Sequence, residues 1–233
     1  MPNVMANAQG FFRTQSSYVP KMQYSADVNF NGGTRVDFGV PVAGGTAFIT
    51  GINIATAGSA DLSGIVEFPE LYGRTVQIAL SGAGTPVITI NGYDYLGQGI
   101  TEQITAAGAG PVASKKAFKS FRNVTFGATA GTTLSIAPAT GFGLPYKALR
   151  CQFETAGGAL VAAGTLTAPA LTDPATATSL DPRGIYVPTT VPNGVYTNGV
   201  LVSGTWITAV FDMVNDVNAA GNGGLHGIAH YAA

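Results

Sequence analysis

An all-β fold is predicted, an antiparallel β-sandwich or barrel with extended N- and C-terminal arms, on three observations. Apolar and polar residues alternate at period two in many short runs. Each run is bounded by Gly, Pro, Asn or Asp, the punctuation of strands and turns. No stretch of about twelve residues carries the i, i+3, i+4, i+7 spacing of an amphipathic helix.

Taken in order, residues 1–45 read as an N-terminal arm. They are light in strand signal and contain many Asn, Gly, Ala and Ser. Such a segment cannot offset backbone ordering of roughly 1–2 kcal/mol per residue by its own burial. Yet it carries Phe11, Phe12, Tyr18 and Tyr24, large apolar groups that gain from a partner. These four are the candidate interface residues, with Phe11 and Phe12 as anchors on a neighbouring subunit; the alternative is that the arm packs back on its own β domain. The β domain is expected over 46–214, opening on the short signal Ala47-Phe48-Ile49-Thr50.

Val76, Ile78 and Leu80 then alternate, as do Ile88 and Ile90, Ile100 and Ile104, Val124 and Phe126, and Leu134 and Ile136. Strands are expected near 75–81, 86–91, 99–106, 115–126, 132–137 and 147–155. The intervals leave no room for a crossover helix, so the connections are hairpins. Asn91-Gly92 and Gly97 supply turn positions between the second and third of these strands. Cys151 alternates with Leu149 and Phe153 and reads as a small buried hydrophobe. Residues 157–182, rich in Ala, Thr, Gly and Pro, read as an irregular insertion, either a linker or a loop lying on a partner. A short strand follows over 183–188. Residues 200–214 read as one long strand, apolar on both faces, with Trp206 buried inside it; such a strand is central or lies at an interface. Residues 215–233 read as a C-terminal tail.

Composition narrows the function. The chain has 233 residues, of which 10% are charged, against roughly 25% in an average soluble domain. Its 11 basic and 12 acidic residues leave a formal charge of −1. Nucleic-acid binding wants a basic stripe to replace phosphate counterions, and none is present. The one basic cluster, Lys115, Lys116, Lys119 and Arg122, reads as a solvated strand edge. No run is apolar enough to cross a membrane as a helix, and Met1–Tyr24 holds no signal-peptide core. A near-neutral, charge-poor surface suits a subunit covered by its neighbours, because net charge is what keeps free proteins apart.

No reactive constellation emerges. Cys151 is the sole cysteine, which excludes a disulfide framework. His226 and His230 stand four apart, but the segment between them lacks the glutamate of the zinc-protease motif and contains Gly227. No phosphate-binding or calcium loop is present. Glu67 with Glu70, and Asp212 with Asp216, are carboxylate pairs without a supporting histidine or aromatic cleft. Asp94, between Tyr93 and Tyr95, reads as a turn-capping residue rather than a sugar-binding one. Asn123-Val124-Thr125 reads as a chance sequon. No catalytic residue, metal ligand or cofactor site is expected.

The segment Val87 to Thr105, with Ile90, Gly92, Asp94, Gly97, Thr101-Glu102 and Ile104, resembles a phrase common in structural proteins of tailed bacteriophages. The Lys/Ala/Phe run 114–121, Val124-Thr125-Phe126, Leu144-Pro145-Tyr146 and Asp181-Pro182-Arg183-Gly184-Ile185-Tyr186-Val187-Pro188 resemble further pieces of the same proteins. The resemblance spans roughly residues 75–190. It departs from the pattern at Asn91 and at the aromatic residues on both sides of Asp94. It implies a non-enzymatic virion protein with an all-β core. Size, low charge and the light ends favour a capsid decoration or cement protein that bridges neighbouring capsid subunits. The implied partners are the major capsid protein or other virion proteins, with homo-oligomer formation, and the implied place is the virion, the capsid ahead of the tail. The alternatives are a tail, neck or baseplate component, or a sugar-binding β module of a receptor-binding fibre.

Overall fold

The computed structural model describes residues 22–23, 33–45, 47–168, 176–197 and 200–213. Among them are strands and no helix. In chain order these are β1 (Met22–Gln23), β2 (Gly33–Gly39), β3 (Ile49–Asn53), β4 (Gly58–Glu67), β5 (Arg74–Leu80), β6 (Val87–Tyr93), β7 (Gly99–Thr105), β8 (Val112–Ala113) and β9 (Ser120–Phe126). They continue with β10 (Thr133–Gly143), β11 (Ala148–Ala156), β12 (Ala159–Val161), β13 (Thr165–Thr167), β14 (Ile185–Val187), β15 (Val195–Thr197), β16 (Val200–Ser203) and β17 (Ile207–Met213).

The chain is all-β, and its named strands pair antiparallel, as the hairpin spacing predicts. A four-stranded sheet runs β4-β9-β6-β7. A six-stranded sheet runs β13-β14-β10-β5-β8, with β3 also on β10. A five-stranded sheet runs β1-β2-β17-β11-β12, and β15 with β16 forms a separate hairpin.

Two apolar cores lie on this frame, and the six-stranded sheet belongs to both. The first core brings Ile88, Ile90, Ile104, Val124 and Phe126 of the four-stranded sheet against Val76, Ile78, Leu80, Leu134 and Ile136. Every apolar residue of the alternating runs from Val76 to Ile136, Ile100 included, is buried here. The second brings Val36, Phe38, Ile207, Ala209 and Phe211 of the five-stranded sheet against Phe142, Leu144 and Tyr186. Strand β10 reaches both because it is 11 residues long. Its register shifts between Pro138 and Phe142, a bulge that re-aims the strand from one core to the other. Gly143 closes that strand where a Cβ would overlap the carbonyl of Tyr72, so only glycine allows the approach.

Five expectations are corrected. The arm does not extend to residue 45: β2 lies inside the five-stranded sheet between β1 and β17, with Val36 and Phe38 buried. The alternation Arg35-Val36-Asp37-Phe38 carries the signal. The expected strand at 115–126 begins only at Ser120; within 115–119 Lys116 instead turns inward and its ammonium donates to the carbonyls of Thr101 and Thr176. The expected insertion at 157–182 contains β12 and β13. The expected single strand 200–214 is two strands broken at 204–206. Gly204 has φ +142°, and a Cβ there would overlap Val40. Past the break, β17 is central and buried while β16 is exposed along its whole length. Trp206, expected buried, sits at the break and is 51% exposed.

Candidate functional site

A large share of the charged side chains among the described residues is turned inward. Eight acidic or basic residues are buried among the described residues: Glu70, Arg74, Asp94, Glu102, Lys116, Glu154, Asp181 and Arg183. Each holds segments together. Asp94 Oδ1 accepts from the amides of Leu96 and Gln98 at 2.9 and 2.8 Å, the turn-capping role read from sequence. Its Oδ2 accepts from Arg183 Nη1 at 2.8 Å. The Arg183 guanidinium lies over the Tyr95 ring, 4.9 Å from its centroid. Glu154 accepts from Tyr186 Oη at 2.7 Å and from the amides of Thr189 and Thr190, both at 2.9 Å. Glu102 accepts from the amides of Lys115 and Lys116 at 2.6 and 3.0 Å. Burial nevertheless pushes its carboxyl up to about 7.

The basic cluster is solvated only in part: Lys115 and Arg122 are exposed, while Lys116 and Lys119 turn inward. Lys116 is buried, and its ammonium donates to the carbonyls of Thr101 and Thr176. Lys119 donates to the carbonyl of Phe68 and pairs with Glu67 at 3.4 Å. The first carboxylate pair separates as well, Glu67 being exposed while Glu70 is buried; of the second, Asp212 is engaged by Arg150 and Gln152. Cys151 is half-buried against the second core, with Sγ 3.4 Å from Tyr186 Oη and burial raising its thiol. Among the described residues, no group of three or more His, Cys, Asp or Glu could hold a metal ion. Phe11, Phe12, Tyr18, Tyr24, Asp216, His226 and His230 lie outside the described residues.

The surface that stands out is the β15–β16 hairpin and the ground beside it. Val195, Val200, Leu201 and Val202 are exposed on the hairpin, and Leu71 and Trp206 are exposed next to it. Asn193 ties the hairpin base to Thr205, accepting from the Thr205 amide at 2.8 Å. Tyr196 Oη donates to the Val40 carbonyl at 3.0 Å and anchors the hairpin on the end of β2.

Between hairpin, β2 and the turn before β5 lies a cavity of about 210 Å³, whose walls include Phe38, Leu71, Tyr196 and Trp206. Asp37 and Glu70 supply its carboxylates. Asp37 Oδ1 accepts from Arg35 Nη2 at 3.0 Å and from Thr208 Oγ1 at 2.6 Å. Trp206 Nε1 in turn donates to Thr208 Oγ1 at 3.1 Å. Glu70 Oε1 accepts from Arg74 Nη1 at 2.9 Å and from the Val42 amide at 3.2 Å. Glu70 Oε2 is buried with no hydrogen-bond partner. Burial, with the Glu70 charge nearby, raises the Tyr196 phenol, which stays protonated.

Sequence reasoning missed this site because its members come from four separated segments. The one available signal was the run Gly194-Val195-Tyr196 and Val200-Leu201-Val202, a hairpin with apolar residues on both faces. Comparison with protein-family models, curated proteins and solved structures finds no match.

Proposed function

We propose that this chain is a non-enzymatic structural subunit of a tailed-bacteriophage virion, one that decorates the capsid and stabilises it by bridging neighbouring capsid subunits. The observation that carries the reading is the β15–β16 hairpin. An isolated two-stranded hairpin is marginal in water, and this one presents valines and a leucine outward. Grouped exposed apolar side chains mark interaction surfaces. Two further features support the reading. The resemblance to phage structural proteins falls on strands β6, β7 and β9 of the first core. The chain is poor in charge, and eight of its charged residues are buried, which suits a subunit covered by neighbours.

Reconstitution tests it. Purified chain added to capsids lacking it should bind and raise the temperature at which the shells open. Replacing Val200 and Val202 with serine should abolish binding without lowering the chain's own melting temperature by more than a few degrees, because both side chains are already in water. Shells that neither bind the chain nor gain heat resistance would contradict the proposal.

A further inference from the structure

We propose that the cavity between the β15–β16 hairpin and the end of β2 is a socket for a lysine side chain of the partner protein. The proposal rests on the reading of this surface as a protein contact, and it names the chemistry the partner must present.

Three observations lead there. First, the walls are aromatic and aliphatic, with Trp206 half-exposed and Phe38, Tyr196 and Leu71 beside it. Such walls take an alkyl stem and attract a cation over their ring faces. Second, the side-chain hydrogen-bonding capacity is one-sided. Among the described residues, the only side-chain donors in the lining are Tyr196 Oη and Trp206 Nε1, and they are spent on the Val40 carbonyl and on Thr208 Oγ1. What remains is acceptors, the carboxylates of Asp37 and Glu70. Third, Glu70, a lining residue, is only 4% exposed, and its Oε2 and the Nη2 of its partner Arg74 are both buried without a hydrogen-bond partner. Such buried unsatisfied groups are costly and mark this carboxylate as incompletely paired. A sugar offers hydroxyls that both donate and accept and so wants donors from the wall. An ammonium on an aliphatic stem only donates, which matches what the lining offers. Arg35 and Arg74 partly neutralise the two acids. The selectivity is therefore for donor geometry and ring faces more than for long-range charge.

Trp206 is the chain's single tryptophan, so its indole N–H gives one unambiguous NMR signal at the cavity wall. The isolated full chain is titrated with N-acetyl-lysine methylamide, N-acetyl-norleucine methylamide and methyl glucoside. The lysine compound should shift the indole signal saturably. The norleucine compound, which keeps the stem without the charge, should bind about tenfold more weakly or not at all. Glu70→Gln should weaken the lysine response several-fold; if that variant fails to fold, Asp37→Asn carries the same comparison. A saturable response to the glucoside that equals or exceeds the lysine response would make the cavity a glycan site and overturn the proposal. No saturable response to any of the three compounds would also overturn it. The titration needs no capsid. A chain that responds to lysine but never enters virions would sink the functional reading and leave the socket standing. A chain that decorates capsids with a silent indole would sink the socket alone.

Discussion

Replacing Arg183 with methionine should destabilise the chain by about 3–4 kcal/mol. The guanidinium is 1% exposed and meets Asp94 at 2.8 Å and Asp181 at 3.6 Å. Methionine keeps most of the apolar stem, so the loss is one of charge rather than volume. Removing one partner of a buried ion pair typically costs about 3–5 kcal/mol, because the other charge is left uncompensated. Here two carboxylates are left, but each keeps backbone donors: the amides of Leu96 and Gln98 for Asp94, and those of Ala117 and Arg183 for Asp181. Those bonds place the expected loss at the lower end of that range. At about 2–4 °C per kcal/mol for a chain of this size, the melting temperature should fall by about 6–16 °C. Calorimetry of parent and variant under the same conditions is the assay. A fall below about 1 kcal/mol would refute the argument that Arg183 fastens the β6–β7 turn to the segment before β14.

Three further outcomes are expected. Glu102, with its carboxyl raised to about 7 by burial, binds a proton more tightly folded than unfolded, so stability should fall as pH rises from about 5 to 8; Glu102→Gln should flatten that slope, and an unchanged slope would remove Glu102 as its source. Ile90→Ala, at a fully buried position of the first core, should cost about 2–5 kcal/mol in denaturant unfolding, whereas a loss of a few tenths would put the side chain on the wrong face. Deleting residues 1–20 should remove incorporation into particles and leave the melting temperature intact; a fall of many degrees in the free chain would assign Phe11 and Phe12 to the chain's own core instead.

The first core was legible because each of its strands faces a core on one side only. Val76, Ile78 and Leu80, or Ile88 and Ile90, then alternate cleanly with polar neighbours. The second core was harder to read. Strand β17 is buried on both faces, from Ile207 through Phe211, and so shows no alternation. Its run merges by composition with the exposed β16. Only the backbone at Gly204 separates the two, and a glycine within an apolar run does not announce a strand break. Strand β2 did alternate, but its neighbours are so rich in Asn and Gly that composition masked the pattern. The buried ions were illegible for a different reason. Glu70 with Arg74 is a local pair, but Asp94 with Arg183 and Glu102 with Lys116 join distant segments, and no spacing rule anticipates them. The cavity combines both difficulties, since its carboxylates, rings and hairpin come from separate stretches of chain.

The most direct test of the proposed virion role is the copy number of this chain in phage particles purified from cultures that express it, measured by quantitative mass spectrometry against the major capsid protein. A decorating subunit should be present in a fixed ratio to the capsid protein, at hundreds of copies per particle. A dozen copies or fewer would place it in the tail or neck, and its absence from the particle would contradict the account.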